Sequence, residues 1–157
     1  MGNILLRDEG VGVRVVEAME RLELPPEVEL FDGATAGLDL VDVLADRCKV
    51  IVIDAIDGDS KPGTVLRLTP EDVAPQEDRG VSLHEIGLLE TLMVARQLGV
   101  APQETIIFGV KPHDVGCGLD LSAEMARLVP RIIGLVLAEL ANETGADVSR
   151  HAIERED

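Results

Sequence analysis

Basic residues are scarce in this chain: 14 Lys and Arg stand against 30 Asp and Glu, for a formal net charge of −16. Nucleic acids and anionic membranes are bound through a basic footprint, so a field of the opposite sign excludes both as partners. Long apolar runs are missing as well. The most hydrophobic stretch, 128–140, is interrupted by Pro130, Arg131 and Glu139, and nothing reaches the roughly 20 apolar residues of a bilayer span. No signal peptide is recognised at the start. Cysteine is reduced to Cys48 and Cys117, with no C-x-x-C pair and no disulfide framework. That suits a reducing cytoplasm, and two buried thiols are expected.

Several common motifs are also lacking. There is no P-loop and no G-x-S-x-G. Gly10 and Gly12 open like a dinucleotide fingerprint, but Val15 holds the third glycine position and no strand precedes it. Asp54, Asp57 and Asp59 have the wrong spacing for a calcium loop, and Val65 stands where its closing Glu is required. They are expected to form a solvated acidic turn.

What is present is enough for one core: 157 residues, 46% of them hydrophobic. We expect a single domain over 1–145 and a polar tail over 146–157. Gly12, Val15, Val16, Met19 and Leu22 recur at helical spacing and predict a helix over 11–22, closed by Pro25 and Pro26. A short strand is expected over 28–31, and Leu38, Val41, Leu44 and Ala45 give a second helical face. The β-branched run 49–53 reads as a buried parallel strand ended by Asp54. Further strands are expected over 64–68 and 105–110, and helices over 82–98 and 122–142. Between them lie a polar, proline-containing loop over 69–80 and a glycine-rich loop over 111–118. This alternation predicts a three-layer α/β/α sandwich around a mostly parallel sheet.

In open α/β sheets the functional crevice lies beyond the carboxyl ends of the strands. Three positions qualify: Glu9 with its neighbour Asp8 where the first helix begins, Asp54 where a buried strand ends, and His84 where a helix starts. Ser82 and Glu85 have capping-box spacing, which makes Ser82 the N-cap and His84 the second helical residue. A helix N-terminus disfavours the imidazolium and biases His84 toward the neutral, metal-binding form. Two carboxylates and an imidazole on one edge form a mixed oxygen and nitrogen set for nickel or zinc. Singly, each has a plainer reading: Asp8 and Glu9 as caps of the first helix, Asp54 as a turn former, His84 as a half-exposed histidine. His113, in the glycine loop, and His151, in the tail, are weaker candidates.

Taken in order, the motifs resemble one family: G-N-I-L-L-R-D-E-G-V-G over 2–12, D-G-A-T-A-G over 32–37, Asp54-Ala55, P-G-T over 62–64 and S-L-H-E-I-G-L over 82–88. This looks like the hydrogenase maturation proteases. The resemblance implies that Glu9, Asp54 and His84 are the metal-binding residues. It further implies a cytoplasmic endopeptidase that removes a C-terminal extension from the large subunit of a nickel–iron hydrogenase, with the nickel-loaded precursor as partner and the nickel supplied by it. Whether the ion polarises the scissile carbonyl, or Asp54 or Glu9 acts as general base, stays open. The alternative is a metal-binding docking or scaffold protein of the same fold that does not cut. The family opens with an apolar strand before G-N, whereas this chain starts Met1-Gly2, so the sandwich is expected to lack that first strand. For the precursor's tail, loops 69–80 and 111–118 are expected to flank a groove at the strand ends, with Lys111 as a docking cation.

Overall fold

The computed structural model describes residues 1–33, 39–73 and 83–153, with side chains at all of these except 83–86 and 143–153. A single 3₁₀ turn, Arg7–Gly10, leads into α1, Val11–Met19. After α2, Leu40–Leu44, come β1, Lys49–Ala55, and β2, Val65–Leu68. A one-turn α3, Pro70–Val73, precedes α4, Leu83–Leu98. β3, Glu104–Val110, and α5, Ala123–Ile153, complete the order.

Among the described residues the sheet has the order β1-β3-β2. β1 runs parallel to β3 from the Lys49–Glu104 pair to the Ala55–Val110 pair, and β2 runs antiparallel to β3 from Val65–Val110 to Leu68–Ile107. Alternation along the strands sorts their side chains into two layers. Ile53, Ala55, Ile106, Phe108 and Val110 face Val11, Val15 and Met19 of α1 and Met125, Ile132 and Val136 of α5. Val52 and Ile107 point the other way, onto Leu40 and Leu44 of α2 and Leu88 and Leu92 of α4. The result is the expected α/β/α sandwich.

Some elements depart from the sequence reading. Residues 28–31 form no strand. A strand exists by virtue of its ladder, and this segment faces β1 across a cavity of about 860 Å³ that β1, α1 and α5 help to wall. Leu30 still packs against the first core layer, so its hydrophobicity reports burial without pairing. The backbone nitrogen of Met1 donates to the Ile53 carbonyl at one end of that cavity. α5 continues as helix to Ile153, through the start of the expected polar tail. Both cysteines are exposed rather than buried: Cys48 lies in the connection before β1 and Cys117 in the loop after β3. No helix among the described residues is long and apolar enough to cross a membrane.

Candidate active site

The backbone segments that carry Glu9 and Asp54 are linked through Met1, Gly2 and Gly12. Gly12, in the first turn of α1, lies so close to β1 that a Cβ there would collide with the carbonyl oxygens of Ile53 and Met1. Gly2, at φ +124°, abuts the carbonyl of Glu9 just as closely. Glycine is required at both places, because any side chain would push the opening turn off the strand end. Glu9 is therefore stacked on Gly2, while Met1 is bonded to Ile53, the residue before Asp54. The Asp54 side chain is buried, with Oδ1 accepting the Ala55 N–H at 3.0 Å. Beside it, burial pushes the Met1 ammonium below its ordinary pKa, while the negative charges of Asp54 and Asp32 pull it back up. Asp32, from the D-G-A-T-A-G motif, thus acts on the same spot; residues 34–37 of that motif lie outside the described residues.

α4 brings its own start to this edge. The 16-residue helix spans about 24 Å and a seven-residue strand about 23 Å. The connection after α4 is held at the amino ends of the strands, where Val100 O accepts from Asp46 N at 2.9 Å and Arg47 O accepts from Gln103 N at 3.0 Å. Running antiparallel to β3, the helix begins at the carboxyl edge, one turn beyond Leu88, which packs in the same layer as Met1 and Val52. His84 belongs to that first turn. Its side chain and the Ser82 cap lie outside the described residues.

Asp8 has a use that its place in the sequence did not reveal. The expected helix caps are not made: the N-cap position of α1 is Gly10, and no side chain caps it. Instead Asp8, fully buried, accepts four hydrogen bonds: from Ser122 N at 2.7 Å, Ser122 Oγ at 2.9 Å, His113 N at 2.9 Å and Asp114 N at 2.9 Å. Burial alone would raise its pKa. The donors from Ser122, Asp114 and His113 outweigh it and hold the carboxyl below the usual range. Ser122 Oγ also accepts Met125 N at 3.2 Å, so the start of α5 is tied to the same carboxylate. Arg7 beside it adopts φ +47°, a strained conformation for a residue with a side chain. It is held there by Arg7 N–H to Gly118 O at 3.0 Å and by Nη1 to Asp114 Oδ2 at 2.7 Å.

Most of one wall of the expected groove between loops 69–80 and 111–118 lies outside the described residues. Because β2 is antiparallel to β3, Thr69 and α3 sit at the amino end of β3, where they line a small pocket with Arg96, Gln103 and Glu104. The glycine loop leaves from the opposite, carboxyl end; residues 74–80 lie outside the described residues. Lys111 is mostly covered, with Nζ 3.9 Å from Asp57 Oδ1.

A family model described as hydrogenase maturation protease matches residues 13–139. The hydrogenase 2 maturation protease of Escherichia coli (strain K12) is 36% identical over 155 residues, covering 98% of this chain and 94% of its own length. The chain belongs to the hydrogenase maturation protease family. The hydrogenase expression/formation protein HupD of Bradyrhizobium diazoefficiens is 37% identical over 156 residues, 97% of this chain and 80% of that protein. Among solved structures, the hydrogenase maturating endopeptidase HybD from E. coli superposes with a TM-score of 0.83 at 34% identity, covering 90% of this chain and 89% of its own. This maturation protease is accordingly a hydrolase of peptide bonds on a mixed α/β fold.

Proposed function

We propose that this protease removes a C-terminal extension from the large subunit of a nickel–iron hydrogenase after nickel has been inserted, and that Glu9, Asp54 and His84 receive the ion carried by the precursor. The observation that supports the reading is that the backbone segments carrying these residues adjoin one strand edge: Gly2 abuts the Glu9 carbonyl, Met1 bonds Ile53 just before Asp54, and α4 begins on the same side. Two carboxylates and an imidazole suit a borderline divalent ion such as nickel. Groups that complete the coordination of an ion already held by the substrate would select loaded precursor and pass over empty precursor. The substrate's metal then works as a recognition element, and the scissile bond is presented beside the carboxylates that bind it.

The test is incubation of the protein with nickel-loaded and nickel-stripped precursor, followed by mass measurement of the large subunit. The loaded form should lose its extension and the stripped form should stay intact. Equal trimming of both would defeat the metal half of the proposal. His84→Ala, Asp54→Asn and Glu9→Gln should each abolish trimming while the protein stays folded. A His84→Ala variant that trims loaded precursor at the normal rate would remove His84 from the site. If the wild-type protein binds loaded precursor and never shortens it, the non-cutting docking role replaces the protease role for this chain.

A further inference from the structure

Alternation along the strands sets Asp54 and Lys111 on the same face of the sheet. Val52 of β1 and Ile107 of β3 point into the layer of α2 and α4. Asp54 and Gly109, each two residues further on and paired across the ladder, share that side. Lys111 continues β3 in register: its N–H donates to Thr64 O at 2.9 Å and its carbonyl accepts Gly63 N at 2.8 Å. It stands two residues beyond Gly109 on the Asp54 face, at the edge where α4 begins. With strands about 4.8 Å apart and a rise of about 3.3 Å per residue, its Cα lies about 8 Å from that of Asp54. Between the two, Gly109 has no side chain and Ile56 fills the place, so that a Cβ on Gly109 would meet Ile56 Cδ1 at 2.6 Å. Ile56 is buried. An apolar floor thus runs from a carboxylate at one end to an ammonium at the other.

The cations near this edge differ in how they are committed. Arg7 bonds Asp114 at 2.7 Å, and Arg14 bonds Glu17 and donates to Leu119 O at 2.7 Å. Among the described residues Lys111 Nζ has only Asp57 Oδ1, at 3.9 Å, and Asp57 is itself 68% exposed. That separation is too long for a hydrogen bond. The Lys111 side chain is 19% exposed, so a mostly covered ammonium keeps its donors for an acceptor from outside the chain. A peptide bond laid on the Ile56 floor supplies one, its carbonyl oxygen. We propose that Lys111 is a further catalytic residue, the electrostatic partner of the scissile carbonyl oxygen. The inference rests on the proposed endopeptidase reading and adds the group that stabilises the charge formed in its reaction. As water adds to the carbonyl carbon, a C–O bond forms and the carbonyl π pair moves to the oxygen, beside the ammonium. The water's proton passes by way of a site carboxylate to the leaving amine as the C–N bond breaks. Charge develops on the oxygen only as the transition state is reached, so a fixed cation there raises turnover more than binding. Lys111 is then a group for the chemistry and not the docking cation expected from the sequence.

The test follows trimming of nickel-loaded precursor by the full chain, with kcat and KM read by mass. Lys111→Gln should lower kcat about 100-fold, with KM and the thermal midpoint unchanged. Lys111→Arg, which keeps the cation, should recover part of kcat. Lys61→Gln, the same change on an exposed lysine of the neighbouring turn, should alter nothing. An unchanged kcat in Lys111→Gln would overturn the inference, and a rise in KM alone would return Lys111 to docking and overturn it too. Should the glutamine change lower the midpoint, Asp57→Asn separates chemistry from structure. Equal losses of midpoint and kcat in Asp57→Asn would make Lys111 an ion-pair partner of the fold and overturn the inference. Normal kcat in Asp57→Asn, with kcat still lost in Lys111→Gln assayed below its midpoint, would uphold it. A wild type that binds loaded precursor and never cuts overturns the endopeptidase reading and this inference together; a Lys111→Gln variant as fast as a cutting wild type overturns this inference alone.

Discussion

Asp8 and Glu9 share a peptide bond and differ in what surrounds them. Asp8 is buried and spends its acceptor capacity on three backbone N–H groups and a hydroxyl; Glu9 is only partly buried. Asp8→Asn would turn an amide NH₂ toward donors already pointing at it, leaving some of them buried without an acceptor. The expected loss is about 2–4 kcal/mol, or a fall of roughly 5–15 °C in thermal midpoint for a domain of this size. Glu9→Gln should cost under about 1 kcal/mol and abolish trimming. Paired thermal melts and cleavage assays check both, and a stable, inactive Asp8→Asn would contradict the division of labour. Linkage gives a second check on Asp8. Its folded pKa is depressed, so its contribution is present above the ordinary carboxylate range and is lost as pH falls through the depressed value. Asp8 was illegible as a structural hub because its partners lie 105–114 residues away. Nothing local distinguishes it from a cap, whereas Glu9 and Asp54 stand out as candidates by their place in the motifs and at a strand end.

Among the elements, β1, β2 and α5 meet at Glu139. Its carboxylate takes Arg67 Nε and Nη2 at 2.8 and 2.9 Å, and Lys49 Nζ lies 2.9 Å away. Lys49, itself nearly buried, also reaches Glu104 on β3 at 3.0 Å. The Arg67 bonds, opposed by burial and helped by Lys49, lower the Glu139 pKa from 4.5 to about 2. This stability is fully present above pH 4.5 and disappears as pH falls toward 2. Since Arg67 is half exposed, solvent screening limits it to about 1–3 kcal/mol. Glu139→Gln should lower the thermal midpoint at pH 7 by several degrees and flatten acid unfolding between pH 4.5 and 2. An unchanged acid limb would mean the network carries no linkage. Sequence periodicity located α1, β1, β3, α4 and α5 because their apolar positions repeat with the period of the element they form. It misjudged 28–31 because a run of apolar residues signals burial, while strand identity depends on a neighbour to pair with. It gave no sign that Thr69 leaves the sheet at the amino end, since the antiparallel direction of β2 is a property of the sheet and of no single segment.

For the whole molecule, the net charge of −16 sets a field that the individual ion pairs do not cancel. Like charges spread over a small domain repel one another and weaken the compact state. The surface pairs, such as Arg96–Glu71 and Arg47–Glu29, are exposed and contribute little. Salt shortens the Debye length from about 30 Å at 0.01 M to about 8 Å at 0.15 M, which screens the long-range repulsion while leaving the covered contacts of Asp8 and Glu139 largely intact. Mild acid relieves the same repulsion by protonating exposed carboxylates, until the pH approaches the range where the Glu139 network fails. Two results follow. At pH 7 the thermal midpoint should rise by several degrees between 0.01 and 0.3 M sodium chloride, and at low salt the stability maximum should lie between pH 5 and 6 rather than at 7. Differential scanning calorimetry over that grid of salt and pH decides the matter. A midpoint that falls with salt at pH 7 would show that exposed ion pairs, and not self-repulsion, govern the electrostatics of this fold.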